Sequence, residues 1–444
     1  MANGWIDVGL PPSGSGTMYF HYFFIESEND PANDPLLLWY QGGPGASSLF
    51  GLFVELGPLM LNEDSLGDVY KQTGVPQLVR NPGSWSGRAN LLVVDNPPPV
   101  GFSYCEPAGP AANGTSCGDW NDALVATANH KFLVGWLKAF PEHAKAPIFL
   151  SGESYAGVYV PTIAREVVNA PSGINLAGFA VGDGCMGTEV LCGSGHGPYY
   201  DLQFMWGHGQ FSNSLYRSIM SVCSEDELKG GKMGEECQQL VGQVDGEVGN
   251  YYPYNLYDTC SHDGPFTASE RTSWGLKKVG LLGGAENDYA CPGNVLNEWL
   301  NRSDVRAALH VSMDANFFSG DNGVGFNYNV SEPNLLPFYR EAVLHTPLRV
   351  MVYNGDTDPG INSLVTQDKY FEYFNSNGVD LVKKWRPWTL DGEKGSFAAG
   401  AVTTYEGNFT FVTIRGSGHM VPEFKPQAAS VMINAFISGE TLPH

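Results

Sequence analysis

A serine hydroxyl becomes a nucleophile when a base takes its proton and a carboxylate orients that base. Ser154 stands at the apex of Gly152-Glu153-Ser154-Tyr155-Ala156-Gly157, between the apolar run Ile148-Phe149-Leu150 and a helical stretch. Small residues around a Ser at a strand-to-helix turn permit a strained backbone that pushes the hydroxyl out, with the helix N-terminus facing any charge that develops there. Ala156 fills the second small position and Gly157 follows it. Two acids, Asp356 and Asp358, follow the apolar run Leu348-Arg349-Val350-Met351-Val352-Tyr353, and His419 follows Phe409-Thr410-Phe411-Val412-Thr413-Ile414-Arg415. Spacing does not choose between the two acids. Gln41-Gly42-Gly43-Pro44-Gly45, directly after Pro35–Tyr40, leaves backbone N–H groups free to face an oxyanion.

The elements that must position these groups alternate. Buried strands are expected at Pro35–Tyr40, Leu91–Val94, around Ile148–Leu150, at Leu176–Val181, Leu348–Tyr353 and Phe409–Arg415. The N-terminal runs Gly4–Val8 and Gly16–Ile25 read as a hairpin. Helices are expected from Trp120 to Phe140, with Leu133, Trp136, Leu137 and Phe140 on one apolar face, after Ser154, and from about Pro426 to Phe436. Strands alternating with helices imply an α/β fold with a mostly parallel central sheet flanked by helices. The strand pattern lapses from about Cys185 to Asp288, where a helical piece from Asp201 to Val222 and polar loops suggest a partly helical insertion over the sheet edge. The expected organisation is 1–184 core, 185–290 cap and 291–444 core again. Gly182-Asp183-Gly184-Cys185-Met186-Gly187 matches a dinucleotide-binding glycine pattern after a strand, but no amphipathic helix follows to receive a pyrophosphate. The chain order Ser, Asp, His at separate strand ends is the order in which an α/β-hydrolase presents its triad.

Composition limits the partners. The 444 residues carry 24 Lys and Arg against 47 Asp and Glu, a formal charge of −23. Nucleic acid and anionic membranes are poor partners for such a surface, and no apolar run approaches a membrane span. Met1-Ala2-Asn3-Gly4 has no signal-peptide character, so a removed or missing leader is expected. Eight cysteines occur without Cys-x-x-Cys or zinc-ligand spacing, which favours disulfides and gives no metal site. Sequons at Asn113, Asn301, Asn329 and Asn408 agree with the secretory pathway.

Eight segments spread along nearly the whole chain resemble serine carboxypeptidases. They are Gly4-Trp5-Ile6-Asp7-Val8, Leu38–Ser48, Asn81-Pro82-Gly83-Ser84-Trp85, Gly101-Phe102-Ser103-Tyr104, Gly152–Gly157, Leu300–Val305, Tyr353–Asp358 and Gly418-His419-Met420-Val421-Pro422. The resemblance implies the α/β-hydrolase fold and Ser154 as nucleophile, His419 as base and Asp358 as the base's partner. It implies an oxyanion hole from the backbone N–H groups of Gly43 and Tyr155. Gln41, the Gly42 backbone, Glu55 and Glu153 would hold the substrate's terminal carboxylate. No cofactor is implied, and the partners are peptide or protein C-termini acting on a monomer or homodimer. The compartment is secreted, vacuolar or lysosomal. A related acyltransferase or esterase, or an idle protective subunit, is the alternative. The retained Glu55 and Glu153 oppose the first, and the intact set of three opposes the second.

Two positions depart from the family. Gln41 replaces the usual Asn, as in the branch resembling vitellogenic-like carboxypeptidases, and Ala46 replaces a usual Cys, which leaves Cys291 without its customary partner. Sequence-local pairing is then expected: Cys105 with Cys117, Cys185 with Cys192, Cys223 with Cys237, and Cys260 with Cys291. Glu55 and Glu153 beside a carboxylate substrate must hold a proton, most simply a shared one, so peptide hydrolysis should favour acidic pH.

Overall fold

The computed structural model describes residues 1–170, 172–192, 196–258, 295–319 and 325–444. Leu36–Tyr40, apolar at all five positions, and Ile148–Glu153 are parallel neighbours buried on both faces. In chain order, the long strands are β1 (Ala2–Gly9), β2 (Met18–Ile25), β3 (Leu36–Tyr40), β4 (Asn90–Val94), β5 (Ile148–Glu153), β6 (Leu176–Gly182), β7 (Arg349–Gly355), β8 (Leu381–Trp388), β9 (Gly400–Tyr405) and β10 (Phe409–Ile414). They join one sheet in the order β1-β2-β4-β3-β5-β6-β7-β10-β9-β8, and Tyr104–Cys105 pairs with β2 as its eleventh strand. From β4 to β10 the pairing is parallel. The two outer ends are antiparallel.

Alternation along these strands builds two cores. Leu36, Leu38, Tyr40, Leu150, Val181 and Val352 face one side. Helices α1 (Asp122–Ala139), α2 (Ala156–Asn169), α5 (Leu336–His345) and α6 (Ser363–Ser376) contribute to that core. Leu37, Trp39, Phe149, Ala180, Met351 and Tyr353 face the other, where α7 (Pro426–Ser438) packs.

The expected 201–222 helix is two helices, α3 (Tyr199–Gly207) and α4 (Asn213–Val222). The Ser212 hydroxyl caps α4, accepting the N–H of Leu215 and so fixing a new helix start. Phe204, Met205, Phe211, Leu215, Ile219, Cys223 and Cys237 form a small separate core in this region. Helix α1 begins at Asp122 because Asn121 caps it, while Trp120–Asn121 pairs with Tyr328–Asn329. Strands β8 and β9 and helices α5 and α6 were not expected. Lys383, Lys384, Arg386 and Pro387 make β8 read as a loop, yet charge and Pro suit a solvent-facing sheet edge.

Cys105–Cys117, Cys185–Cys192 and Cys223–Cys237 are disulfide-bonded, as the short separations predict. The expected Cys260–Cys291 pair lies outside the described residues. Asn113, Asn301, Asn329 and Asn408 are all exposed. Among the described residues no helix is long and apolar enough to cross a membrane.

Candidate active site

Strand register sets the site. Tyr40 pairs with Gly152, Glu153 with Gly182, Gly182 with Tyr353 and Gly355 with Ile414. The C-terminal ends of β3, β5, β6, β7 and β10 are therefore level, and the residues just beyond them meet at one sheet edge, the general ligand position of open parallel sheets.

Ser154 lies between β5 and α2 with φ of 61°, a strained conformation for a residue with a side chain. Its N–H donates to Gly182 O at 3.0 Å, and its carbonyl accepts from Gly157 N at 2.9 Å and Cys185 N at 3.0 Å. The loop after β6 thus clamps the turn. It is a brace for Ser154 and not the opening of a phosphate-binding helix, since α3 starts only at Tyr199. Gly42 approaches the same turn so closely that a Cβ there would lie 2.6 Å from both Ser154 Cβ and Tyr155 N. Gly43 follows with φ of 113°, which only glycine adopts easily.

His419 follows β10 and is buried. Its Nδ1 lies 2.7 Å from Asp358 Oδ2, while Asp358 Oδ1 accepts the Gly360 N–H at 2.8 Å. Asp356 turns away and accepts the Gly416 N–H at 2.6 Å. The His419 N–H donates to Tyr254 O at 2.7 Å, and the two rings pack with centroids 5.4 Å apart. Asp183, Asp358 and His419 each bring one polar atom within 4.8 Å of the others. The hydrogen bond between His419 Nδ1 and Asp358 Oδ2 already joins two of these three groups.

Gln41, Gly42, Gly43, Glu153, Ser154 and His419 line one cavity of about 340 Å³. Phe50, Val54, Tyr254, Leu296, Phe317 and Met420 supply its apolar wall. At the polar end, Gln41 Nε2 donates to Glu153 Oε1 at 2.7 Å and to Glu55 Oε1 at 3.1 Å. Trp39 Nε1 donates to Gln41 Oε1 at 2.9 Å and fixes which way the amide points. Both glutamates are buried. The remaining oxygen of each receives no protein donor, and the two carboxyls are within hydrogen-bonding reach of each other. Burial pushes Glu55 up to about 7. Burial, and then the charge of Glu55, raises Glu153 well above the ordinary glutamate range.

Sequence reasoning missed the support for Tyr155. Its hydroxyl donates to Asp122 Oδ1 at 2.7 Å, as Tyr328 does at 2.6 Å, and the Ser331 and Glu332 N–H groups donate to Asp122 Oδ2 at 2.6 and 2.7 Å. Asp122 also begins α1, and no local pattern distinguishes it from any helix-starting Asp. In the sequence Asp183 stands out only within a glycine motif, although it lies directly past the end of β6, where the site residues gather.

Comparison with known proteins gives the family. The family described as serine carboxypeptidase matches residues 3–439. Lysosomal protective protein of Mus musculus is 32% identical, over 96% of this chain and 89% of its own length. Serine carboxypeptidase-like 36 of Arabidopsis thaliana is 30% identical, over 99% and 83%. The crystal structure of Kex1, a prohormone-processing carboxypeptidase from Saccharomyces cerevisiae, matches with a TM-score of 0.70 at 18% identity, covering 98% of this chain and 91% of that one. A mostly parallel sheet with its polar groups at the C-terminal edge, matched along 3–439, makes this chain a member of the serine carboxypeptidase family on the α/β-hydrolase fold.

Proposed function

We propose that this serine carboxypeptidase releases one C-terminal residue at a time through an acyl-enzyme on Ser154. The observation that carries the mechanism is the 2.7 Å bond from His419 Nδ1 to Asp358, on the wall of the cavity that Ser154 also lines. Asp358 holds the proton on Nδ1, which leaves Nε2 as the base. As Ser154 Oγ attacks the last peptide carbonyl, Nε2 takes its proton. The Gly43 and Tyr155 N–H groups receive the oxyanion. The imidazolium then protonates the leaving amino acid, and water, activated by the same nitrogen, hydrolyses the ester.

Selection for a chain end comes from the polar end of the cavity. Gln41 already spends both Nε2 hydrogens on Glu55 and Glu153, so it positions the pair. Protonation of Glu153, favoured by its burial beside Glu55, lets it donate to the substrate carboxylate, alongside the Gly42 N–H. Residues 185–290 act as a cap on the hydrolase body formed by 1–184 and 291–444. Three disulfides and four exposed sequons support synthesis in the secretory pathway, with a secreted, vacuolar or lysosomal destination.

Fluorophosphonate labelling combined with matched peptide, ester and acyl-donor substrates tests this function. Labelling at Ser154 with faster turnover of free-acid peptides is expected. Labelling with transfer to alcohol acceptors and no peptide hydrolysis would establish the acyltransferase instead, and no labelling would establish an idle subunit.

A further inference from the structure

Asp183 occupies the loop between β6 and α3, fully buried, with φ of 41°. A side chain in that conformation is strained, and Asn, Asp and Gly tolerate it best. Its backbone N–H donates to Tyr353 O at 2.8 Å. Its Oδ1 accepts from Gly355 N at 3.0 Å and from Asn354 Nδ2 at 3.1 Å. These bonds tie the carboxyl to the end of β7, the strand whose following turn carries Asp358. One polar atom of each of Asp183, Asp358 and His419 lies within 4.8 Å of the others, and the two carboxyls are close enough to act on each other.

Ionising a buried carboxyl beside the Asp358 carboxylate is opposed by burial and by like charge, which favours a proton on Asp183. Asp358 faces the imidazole that becomes cationic in the reaction, which favours its charge. Asp183 faces Asp358 from β6, Glu153 from the end of β5, and Tyr353 from β7. The charges of Glu55 and Glu423 act in turn on Glu153. His419, which becomes cationic in the reaction, stands against Asp358. Burial and the Asp358 charge both raise Asp183 well above the ordinary aspartate range.

We propose that Asp183 is a positioning residue for the catalytic pair: its neutral carboxyl donates a hydrogen bond to Asp358, fixing the carboxylate that orients His419 and moderating its basicity. A donor on Asp358 weakens its pull on the Nδ1 proton, so the imidazolium is less favoured and His419 stays neutral to lower pH. The arrangement extends catalysis into acid without moving the base. It rests on the roles given above to Asp358 and His419.

The test compares Asp183→Asn, which keeps a neutral donor, with Asp183→Gly, which suits the positive φ and removes the donor. The kcat/KM profile is measured on a peptide amide, whose binding does not depend on the terminal carboxylate. Asp183→Asn should keep the acid limb of the wild type, and Asp183→Gly should move it up by roughly half a pH unit or more. Thermal melting from pH 4 to 7 gives an independent readout should Asp183→Gly fail to fold. A folded-state acid raised above its unfolded value contributes stability below that unfolded value and loses it as pH rises, so the Asp183→Asn advantage in Tm should widen with pH. A purely structural Asp183 would give a pH-independent Tm difference and unmoved acid limbs, and would overturn the proposal. An anionic Asp183 would lower the acid limb in both variants and overturn it as well. Failure of the triad is distinguishable, because Ser154→Ala and His419→Ala would then retain turnover.

Discussion

Asp358 Oδ2 and His419 Nδ1 stand 2.7 Å apart in a buried contact between two strand ends separated by 61 residues of sequence. Asp356, two residues earlier, is spent on the Gly416 N–H. Asp358→Asn should therefore lower kcat by about 10³–10⁴-fold, because the amide favours the wrong imidazole tautomer. Asp356→Asn, whose carbonyl can still accept from Gly416, should cost less than about 10-fold. Ser154→Ala and His419→Ala should each abolish turnover or labelling. Steady-state kinetics on folded variants decides between the acids, and a reversed order would move the role to Asp356.

The Glu55–Glu153 pair predicts a difference between two substrates that share a scissile bond. As pH rises past the ordinary glutamate range and through about 7, the value to which burial pushes Glu55, the pair gains negative charge, so KM for a free-acid peptide should climb while KM for its amide stays level. Rates at pH 4 to 8 on the matched pair show whether the profiles separate. Coincident profiles would remove both glutamates from carboxylate binding.

The same pair has a stability signature. Both folded values lie above the ordinary 4.5 of a glutamate, so protonation of the pair stabilises the fold below 4.5, and this contribution fades as pH rises, for Glu55 through about 7. Glu153→Gln cannot ionise and keeps a donor toward Glu55. Its stability relative to wild type should rise between pH 5 and 8 in urea titrations, and a flat difference would show the proton is not shared.

Asp122 gathers Tyr155, Tyr328, Ser331 and Glu332 around one buried carboxylate. Asp122→Ala leaves several buried donors without an acceptor, so a loss of about 3 kcal/mol or more is expected in chemical denaturation. Tyr155→Phe removes one donor only and should cost about 1–2 kcal/mol, with kcat little changed because the proposed oxyanion contact is its backbone N–H.

Non-reducing peptide mapping should recover Cys105–Cys117, Cys185–Cys192 and Cys223–Cys237, together with Cys260–Cys291. Any cross-link of Cys260 or Cys291 to another cysteine overturns the fourth pair. Replacing Cys223 and Cys237 by Ser opens a loop with a separation of 14 residues. That change should destabilise the helical region by about 2–3 kcal/mol.

Local sequence was enough for the turn at Ser154, the glycines after Tyr40 and the buried strands, because each depends on nearest-neighbour chemistry: small residues where the backbone is strained, unbroken apolar runs where both strand faces are covered. It also supplied three short-range disulfides. It could not separate Asp356 from Asp358, since two carboxylates with a single residue between them differ only in what the returning β10 loop offers them. Nor could it show that Gln41 is used up in holding Glu55 and Glu153, or that Asp122 and Asp183 stand behind Tyr155 and Asp358. Those relationships join residues far apart in the chain through strand register, and register is settled by the packing of the whole sheet. Strand β8 stayed hidden for a related reason: Lys383, Lys384 and Pro387 oppose a strand locally, and only pairing with β9 at the edge of a finished sheet makes one of them.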